Sequence, residues 1–456
     1  MKKNKNRYTF GLGTIGRDML YSLISMYLIF YLTDIVELPN SILWWVTAII
    51  MGARIFDALN DPIMGVIVDN TRTKWGKFKP WIAIGAIASG LFTILLFTDF
   101  GLIGMKYVPL FAVLYLLWGI SWTANDISYW SMLPALSMDQ KEREKIGAFA
   151  RICANLGLFV VVAGIVPITT AIGDATGSMK TAYFIFTIII VVIMLLGQSI
   201  TVFGVKEPKN VFKKEEKTTL KGMVKAIFKN DQLLYTAIAM ALFMIGYVTT
   251  TGFGLYYFKY AFGDEGMYSI FAIVLGVAQI SALLVFPFFS KRFDRKKLYT
   301  GATAFVFAGY ILFFLSPMNM IFIGISGLLI FLGQAFIQLL MLMFLADTVE
   351  YGQWKLGKRN ESVTFALQPF INKMGGAVAS GIVGATIIIS GINDAKTAAD
   401  VTAGGLLTMK IAMFILPLIF ILAGYLIYRF KYKIDQKMYN KILADLEERG
   451  DINLEQ

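Results

Sequence analysis

Two carboxylates, an amide and an arginine stand inside a strongly apolar stretch, RIFDALNDPIMGVIVDNTRTKWGKFKPW (54–81). Arg54, Asp57, Asn60 and Asp61 are spaced by steps of one, three or four residues, so on a helix they share one face. Ionised groups at membrane depth are costly and normally face a bundle interior or a wet cavity. Paired carboxylates with an amide oxygen beside them form the donor set of a small hard cation such as sodium. At ~1.5 Å of rise per residue, Asp57 and Asp61 lie about 6 Å apart along the axis. Two bare carboxylates so close repel, which raises one pKa unless a cation sits between them. The spacing therefore predicts a site for sodium or a proton, with Arg54 placed to hold one carboxylate. The competing expectation is a buried structural salt bridge.

A second constellation follows. Trp118, Trp122, Asp126 and Trp130 recur at spacing four, a stripe on one helical face. Aromatic faces pack on the apolar face of a sugar ring, and a carboxylate accepts hydrogen bonds from vicinal hydroxyls. Trp130, one turn from Asp126, is the candidate sugar contact, whereas Trp118 is expected to pack. Thr123, three residues before Asp126, adds a hydroxyl oxygen for a cation. Further charges fall in apolar segments: Arg17 and Asp18, Arg151, and Lys373. Asp18 and Arg151 are expected to meet other helices, and Arg151 to donate to sugar hydroxyls or neutralise Asp126. Lys373 is the deep cation of the C-terminal half and is expected to face the acidic N-terminal half. Asp347 and Glu350, in ADTVEYGQWK, are expected to serve a gate or an interdomain salt bridge.

The elements that must position these groups are membrane helices. The 456 residues are 57% apolar and 16% charged, against about a quarter charged in ordinary soluble domains. Apolar runs of bilayer-spanning length are predicted near 10–33, 42–68, 81–98, 108–134, 147–170, 181–204, 233–258, 268–289, 299–316, 320–346, 363–391 and 406–428. Continuous apolar runs of this length indicate helices rather than alternating barrel strands. The expected fold class is all-α integral membrane, with twelve transmembrane helices in two six-helix bundles.

The net charge of +12 is distributed by topology. Of 42 Lys and Arg, 33 fall in the N-terminal tail, alternate loops and the C-terminal tail. The positive-inside rule makes that face cytoplasmic, with both termini inside. Nucleic-acid binding needs a basic folded module, and none is expected. No cleavable signal pattern precedes the first span. Cys153 is the single cysteine and there is no histidine, so an intrachain disulfide, His-ligated metals and imidazole relays are excluded. No cofactor is expected beyond a coupling ion, and no enzyme activity.

The chain divides into an N-terminal bundle (1–205), a cytoplasmic linker with an amphipathic helix (206–231), a C-terminal bundle (232–430) and a cytoplasmic tail (431–456). In the linker Leu220, Met223, Val224, Ile227 and Phe228 recur at helical spacing. The basic loops DNTRTKWGKFK (69–79) and SKRFDRKKL (290–298) follow the second span of each half, a weak internal repeat. Parallel six-span repeats mark the major facilitator architecture.

At these residues the chain resembles the glycoside–pentoside–hexuronide:cation symporters of the major facilitator superfamily, and most of all the melibiose carrier branch. The matching motifs are RIFDALNDPIMG (54–65), TRTKWGKFKPW (71–81), NDISYWSMLP (125–134), KEREKIGAFAR (141–151) and ADTVEYGQWKLGKRNES (346–362). The resemblance implies sugar or glycoside uptake across the cell membrane, driven by a sodium, lithium or proton gradient. It places cation residues at Asp57, Asn60, Asp61 and Thr123. It places sugar residues at Asp18, Asp126, Trp130, Arg151 and Lys373, with Arg17 and Gln368 nearby. Two positions depart from the family pattern: a tryptophan that walls the sugar pocket stands here as Gln338, and Pro369 follows Gln368. Regulation through a fused C-terminal phosphotransferase-like domain is not expected.

The expected partners are thus a small sugar or glycoside, sodium or a proton, and membrane lipid. Asn60 and Thr123 favour sodium, because neutral oxygens complete a sodium shell and add little to a proton site. The alternatives are proton-coupled uptake of a xyloside or hexuronide, and a passive sugar facilitator.

Overall fold

A computed structural model describes residues 2–102, 104–206, 220–264, 267–392, 395 and 397–452. Among them the secondary structure is helical, apart from one isolated bridge between Thr73 and Gly76. The helices used below are α1 (Lys2–Ser22), α2 (Asn40–Asp69), α3 (Lys79–Leu96), α4 (Tyr107–Ser131), α5 (Gln140–Thr176), α6 (Met179–Gly204), α7 (Leu220–Lys229), α8 (Asp231–Tyr256), α9 (Met267–Arg292), α10 (Arg295–Leu315), α11 (Met320–Leu356), α12 (Glu361–Ile389), α13 (Leu416–Lys431) and α14 (Gln436–Glu448).

Eleven of the described helical segments are long and apolar enough to cross a membrane. The first expected span is not among them. Helix α1 opens with Lys2, Lys3, Lys5 and Arg7 and carries Arg17 and Asp18, which dilute its apolar content. Its helical path nevertheless continues through two π-turns to Ile35. Helices α5 and α11 run well beyond the apolar windows read from sequence, because charged turns such as Glu142–Lys145 and Glu350–Lys355 extend them without a break.

The chain forms two compact units. One draws on Met1–Met223, Asn360–Ala366 and Asp451–Gln456, the other on Val224–Arg359 and Leu367–Gly450. In the first, α1 packs on α5 and α6, α3 on α4 and α6, and α2 on α4. In the second, α8 packs on α13, α10 on α11, and α9 on α11. The pairings α1–α6, α3–α4 and α2–α4 thus have counterparts in α8–α13, α10–α11 and α9–α11, the pattern of a parallel six-helix repeat.

Small residues allow these approaches, since lipid-immersed helices associate by close packing rather than by hydrophobic exclusion. A Cβ on Gly157 of α5 would lie 2.2 Å from the Ile15 carbonyl oxygen of α1. Buried amides then tie the helices: Gln198 donates to the Gly13 carbonyl at 2.7 Å and accepts from Asn125 at 2.8 Å. The first unit also holds Asn360–Ala366. Asp69 accepts the backbone N–H groups of Ser362 and Val363 at 3.0 Å each, and Lys77 bridges Asp69 (2.8 Å) and Glu361 (3.1 Å). A carboxylate at the exposed N–H groups of a helix start is electrostatically favoured.

The linker helix is observed as Leu220–Lys229, with Val224 and Phe228 exposed; residues 207–219 lie outside the described residues. The tail forms α14, whose Tyr439, Ile442, Leu443 and Leu446 are buried. It rests on α11, where the Trp354 indole donates to Asp445 at 2.8 Å.

Candidate substrate and cation site

Helix α4 is the axis of the first unit's polar core. Its aromatic stripe forms as the spacing of four requires: Trp118 and Trp122 stack at 6.1 Å, and Tyr21 of α1 stacks on Trp122 at 5.1 Å. Trp118 is buried in the apolar core and serves packing, as its sequence context suggests.

Arg17 occupies the centre of this stripe. Its guanidinium lies over the rings of Trp122 (5.4 Å), Tyr129 (4.9 Å) and Trp130 (5.4 Å). It pairs with Asp126 at 2.9 Å and with its own neighbour Asp18 at 3.6 Å. Arg151 of α5 covers the other part of the Trp130 ring at 4.4 Å. Two arginines, two carboxylates and an indole therefore converge at one place. Arg17 forms the ion pair with Asp126, and Asp18 meets Arg17 of its own helix as well as the charge of Arg151 from α5. The sequence expectation that Arg151 could neutralise Asp126 gives way to Arg17 for the direct pair. The reason is reach: Arg17 extends from α1 toward α4, so one guanidinium serves both carboxylates.

These charge pairs are not well-aligned hydrogen bonds. Arg17 Nε and Nη1 and Asp18 Oδ2 are buried and meet their partners as ion pairs without hydrogen-bond geometry. Such groups are costly unless something else satisfies them. Hydroxyls of a polyol supply both the acceptors and the donors that these atoms lack.

One turn along the same helix lies the cation set. Thr123 donates to Asp61 Oδ1 at 3.2 Å, and Asp61 and Thr123 are 1% and 3% exposed, depths at which a carboxylate needs a compensating charge. Asp57 lies against α4 at Gly119, where a Cβ would stand 2.8 Å from Asp57 Oδ1. Asn60 has a buried side-chain nitrogen with no partner among the described residues. Asp57, Asn60, Asp61 and Thr123 thus stand where α2 meets α4. Arg54 is exposed, unlike buried Asp61, and shares its surroundings with Asp57 beside Tyr115 of α4 and Tyr21 of α1.

No side-chain chemistry flags Gly119, although it precedes Thr123 by one turn on the same face. It permits the Asp57 carboxylate to approach α4. Gly119→Ala is expected to push that carboxylate aside and to weaken binding of a cation held there at least about tenfold, since misplacing one group by about an ångström can cost about a hundredfold. Cation titration of the purified protein measures this; an unchanged affinity counts against a role for Asp57 at an ion.

The remaining predicted residues lie elsewhere. Gln368 and Lys373 are half-buried on α12, in the second unit. Asp347 and Glu350 on α11 are fully buried and hold arginines of their own unit: Asp347 pairs with Arg295 at the start of α10, and Glu350 with Arg359 at 3.0 Å.

A chain with at least eleven membrane-length helices in two units of like packing, and with charged groups gathered inside one of them, is a multi-pass membrane protein of the major facilitator fold. Residues 9–436 match the family described as MFS/sugar transport protein, and the chain belongs to it. It is 34% identical to a raffinose carrier protein of Pediococcus pentosaceus, over 97% of this chain and 71% of the relative. It is also 34% identical to a lactose permease of Leuconostoc lactis, over 96% of this chain and 71% of the relative. The crystal structure of the E. coli fucose:proton symporter superposes with a TM-score of 0.68 at 12% identity, covering 95% of this chain and 98% of that one. At that identity the last likeness concerns the fold alone.

Proposed function

We propose that this protein is a cation-coupled symporter that carries a sugar or glycoside into the cell by alternating access, through twelve membrane helices with both termini cytoplasmic. One observation carries the reading. Thr123, which meets Asp61, and Asp126, which meets Arg17, lie three residues apart on α4. Filling either place changes the field and the position of the same helical turn, which is the physical basis for reciprocal coupling. Asp57, Asn60, Asp61 and Thr123 bind the ion. Asp18, Asp126, Trp130, Arg151 and Arg17 bind the sugar, and the family resemblance assigns Gln368 and Lys373 to sugar binding as well. Asp347 and Glu350 act as latches released during the transport cycle. The transporter names of the relatives support a sugar as cargo, and the neutral oxygens of Asn60 and Thr123 support sodium.

The deciding experiment is uptake of lactose, raffinose, melibiose, a xyloside and a hexuronide into proteoliposomes under imposed sodium or proton gradients. Added sodium at fixed pH is expected to tighten sugar binding by about 5–150-fold, the range of a 1–3 kcal/mol coupling. Sugar affinity indifferent to sodium, with uptake that follows only the pH gradient, replaces sodium by a proton. Equilibration without accumulation under either gradient replaces the symporter by a facilitator.

A further inference from the structure

Three polar side chains meet near the middle of three helices of the second unit. Gln279 of α9 donates to the Tyr247 hydroxyl of α8 at 3.3 Å, and Gln338 of α11 comes within interaction range of the same hydroxyl. No charged residue lies between Asp231 and Lys259, between Met267 and Lys291, or between Met320 and Asp347. The group is therefore neutral and placed at bilayer depth, where amides are costly unless they bond to something.

Helix-to-helix adhesion is the ordinary use of such groups. A neighbouring knot shows what adhesion looks like in this unit. Thr250 and Tyr310 share a hydrogen bond beside Gln334, and the three are 3%, 1% and 0% exposed. The Tyr247 group differs, because all three of its members keep some accessible surface. That exposure is not toward lipid. On α9 the outward face is marked by Ile273, Val277, Leu284 and Phe288, each more than half exposed. Gln279 lies two residues from Val277, roughly 200° around the helix at about 100° per residue. Tyr247 shares the buried face of α8 with Phe243, on which its ring stacks. Gln338 is flanked by Ile337, Leu339, Met341 and Leu342, all at most 2% exposed. Each side chain thus has accessible surface on the side of its helix turned away from lipid.

The bonding within the group is incomplete. Tyr247 accepts from Gln279, and the Gln279 amide oxygen meets no donor among the described residues. A phenol and two amides carry both donors and acceptors. We infer that Tyr247, Gln279 and Gln338 form a neutral subsite in the second unit that reads hydroxyl groups of the sugar cargo. The inference rests on the sugar reading above. An uncharged set of alternating donors and acceptors suits the neutral hydroxyls of a glycoside rather than a carboxylate or a sulfonate.

The test uses the single native cysteine. In a Cys153→Ala background, Gln279→Cys, Gln338→Cys and the lipid-side control Val277→Cys are reacted with a water-soluble cationic methanethiosulfonate in proteoliposomes, with and without lactose or raffinose. The two subsite thiols are expected to label at least about tenfold faster than the control and to be protected by whichever sugar the parent accumulates. Tyr247→Phe and Gln338→Ala are expected to raise the KM for that sugar about fivefold, the equivalent of one neutral hydrogen bond, with kcat nearly unchanged. Labelling no faster than the control, labelling that sugar leaves untouched, or an unchanged KM in both variants overturns the subsite while leaving the transport reading intact. A parent that carries neither lactose nor raffinose, with subsite thiols protected by neither, overturns the subsite for these sugars. A parent that carries no sugar of the wider panel overturns the transport reading itself.

Discussion

Asp61→Asn is expected to abolish gradient-driven sugar accumulation while leaving downhill sugar exchange measurable. The expectation follows from where the charge sits. Asp61 is 1% exposed and accepts a hydrogen bond from Thr123, itself 3% exposed. An ionised carboxylate so deep is strongly disfavoured unless a cation accompanies it. The amide of Asn keeps the volume and one acceptor oxygen but removes the charge that makes cation entry favourable. A coupling of 1–3 kcal/mol then disappears, so the roughly 5–150-fold effect of sodium on sugar affinity should collapse toward unity. The contrast with Asp126→Asn is informative, since that change touches the arginine-bound carboxylate and is expected to reduce sugar affinity first. Uptake in proteoliposomes under a sodium gradient, beside sugar exchange without one, separates the two effects. Wild-type accumulation by Asp61→Asn would remove Asp61 from the ion site.

How much of this was legible beforehand depends on the kind of information each residue carries. Periodicity sorts side chains onto faces, so the stripe Trp118–Trp122–Asp126–Trp130 and the set Asp57–Asn60–Asp61 could be read without coordinates. The composition likewise exposed the apolar helices, because water-free surroundings leave the backbone few alternatives. Periodicity is silent about rotation between helices. It placed Arg54 with the carboxylates, and gave no hint that Arg54 would be exposed where Asp61 is buried. It offered Arg151 as the partner of Asp126, whereas the long reach of Arg17 across α1 and α4 takes that place. Close approach is the other blind spot. Gly119 contributes only by lacking a Cβ, and a residue that acts by absence leaves no chemical signature. The same holds for Tyr247, Gln279 and Gln338, whose common location depends on the register of three helices in the second unit.

The largest effect on the sugar side is expected from the Arg17–Asp126 pair, examined as a cycle. Arg17→Gln removes the cation that serves both Asp18 and Asp126. Asp126→Asn leaves a guanidinium that is 3% exposed with only Asp18, at 3.6 Å, to balance it. Removing one partner of a buried pair costs about 3–5 kcal/mol, because the other charge stays behind uncompensated. Asp126 is 22% exposed, so the lower end of that range applies here. The double variant Arg17→Gln/Asp126→Asn removes both charges and is expected to regain most of the lost thermal stability, with a coupling energy of roughly 0.5–3 kcal/mol. Sugar affinity should behave differently. Each single variant is expected to lose at least ~1.5 kcal/mol of binding, the low end for a charge-assisted hydrogen bond, and the double variant should not recover it. Stability recovers because the pair is self-compensating; binding does not, because the ligand needs the charged donors and acceptors themselves. Equilibrium sugar titration beside thermal unfolding of the purified protein supplies both readings. Affinity that returns together with stability in the double variant would make the pair a scaffold, leaving Asp18, Trp130 and Arg151 to hold the sugar alone.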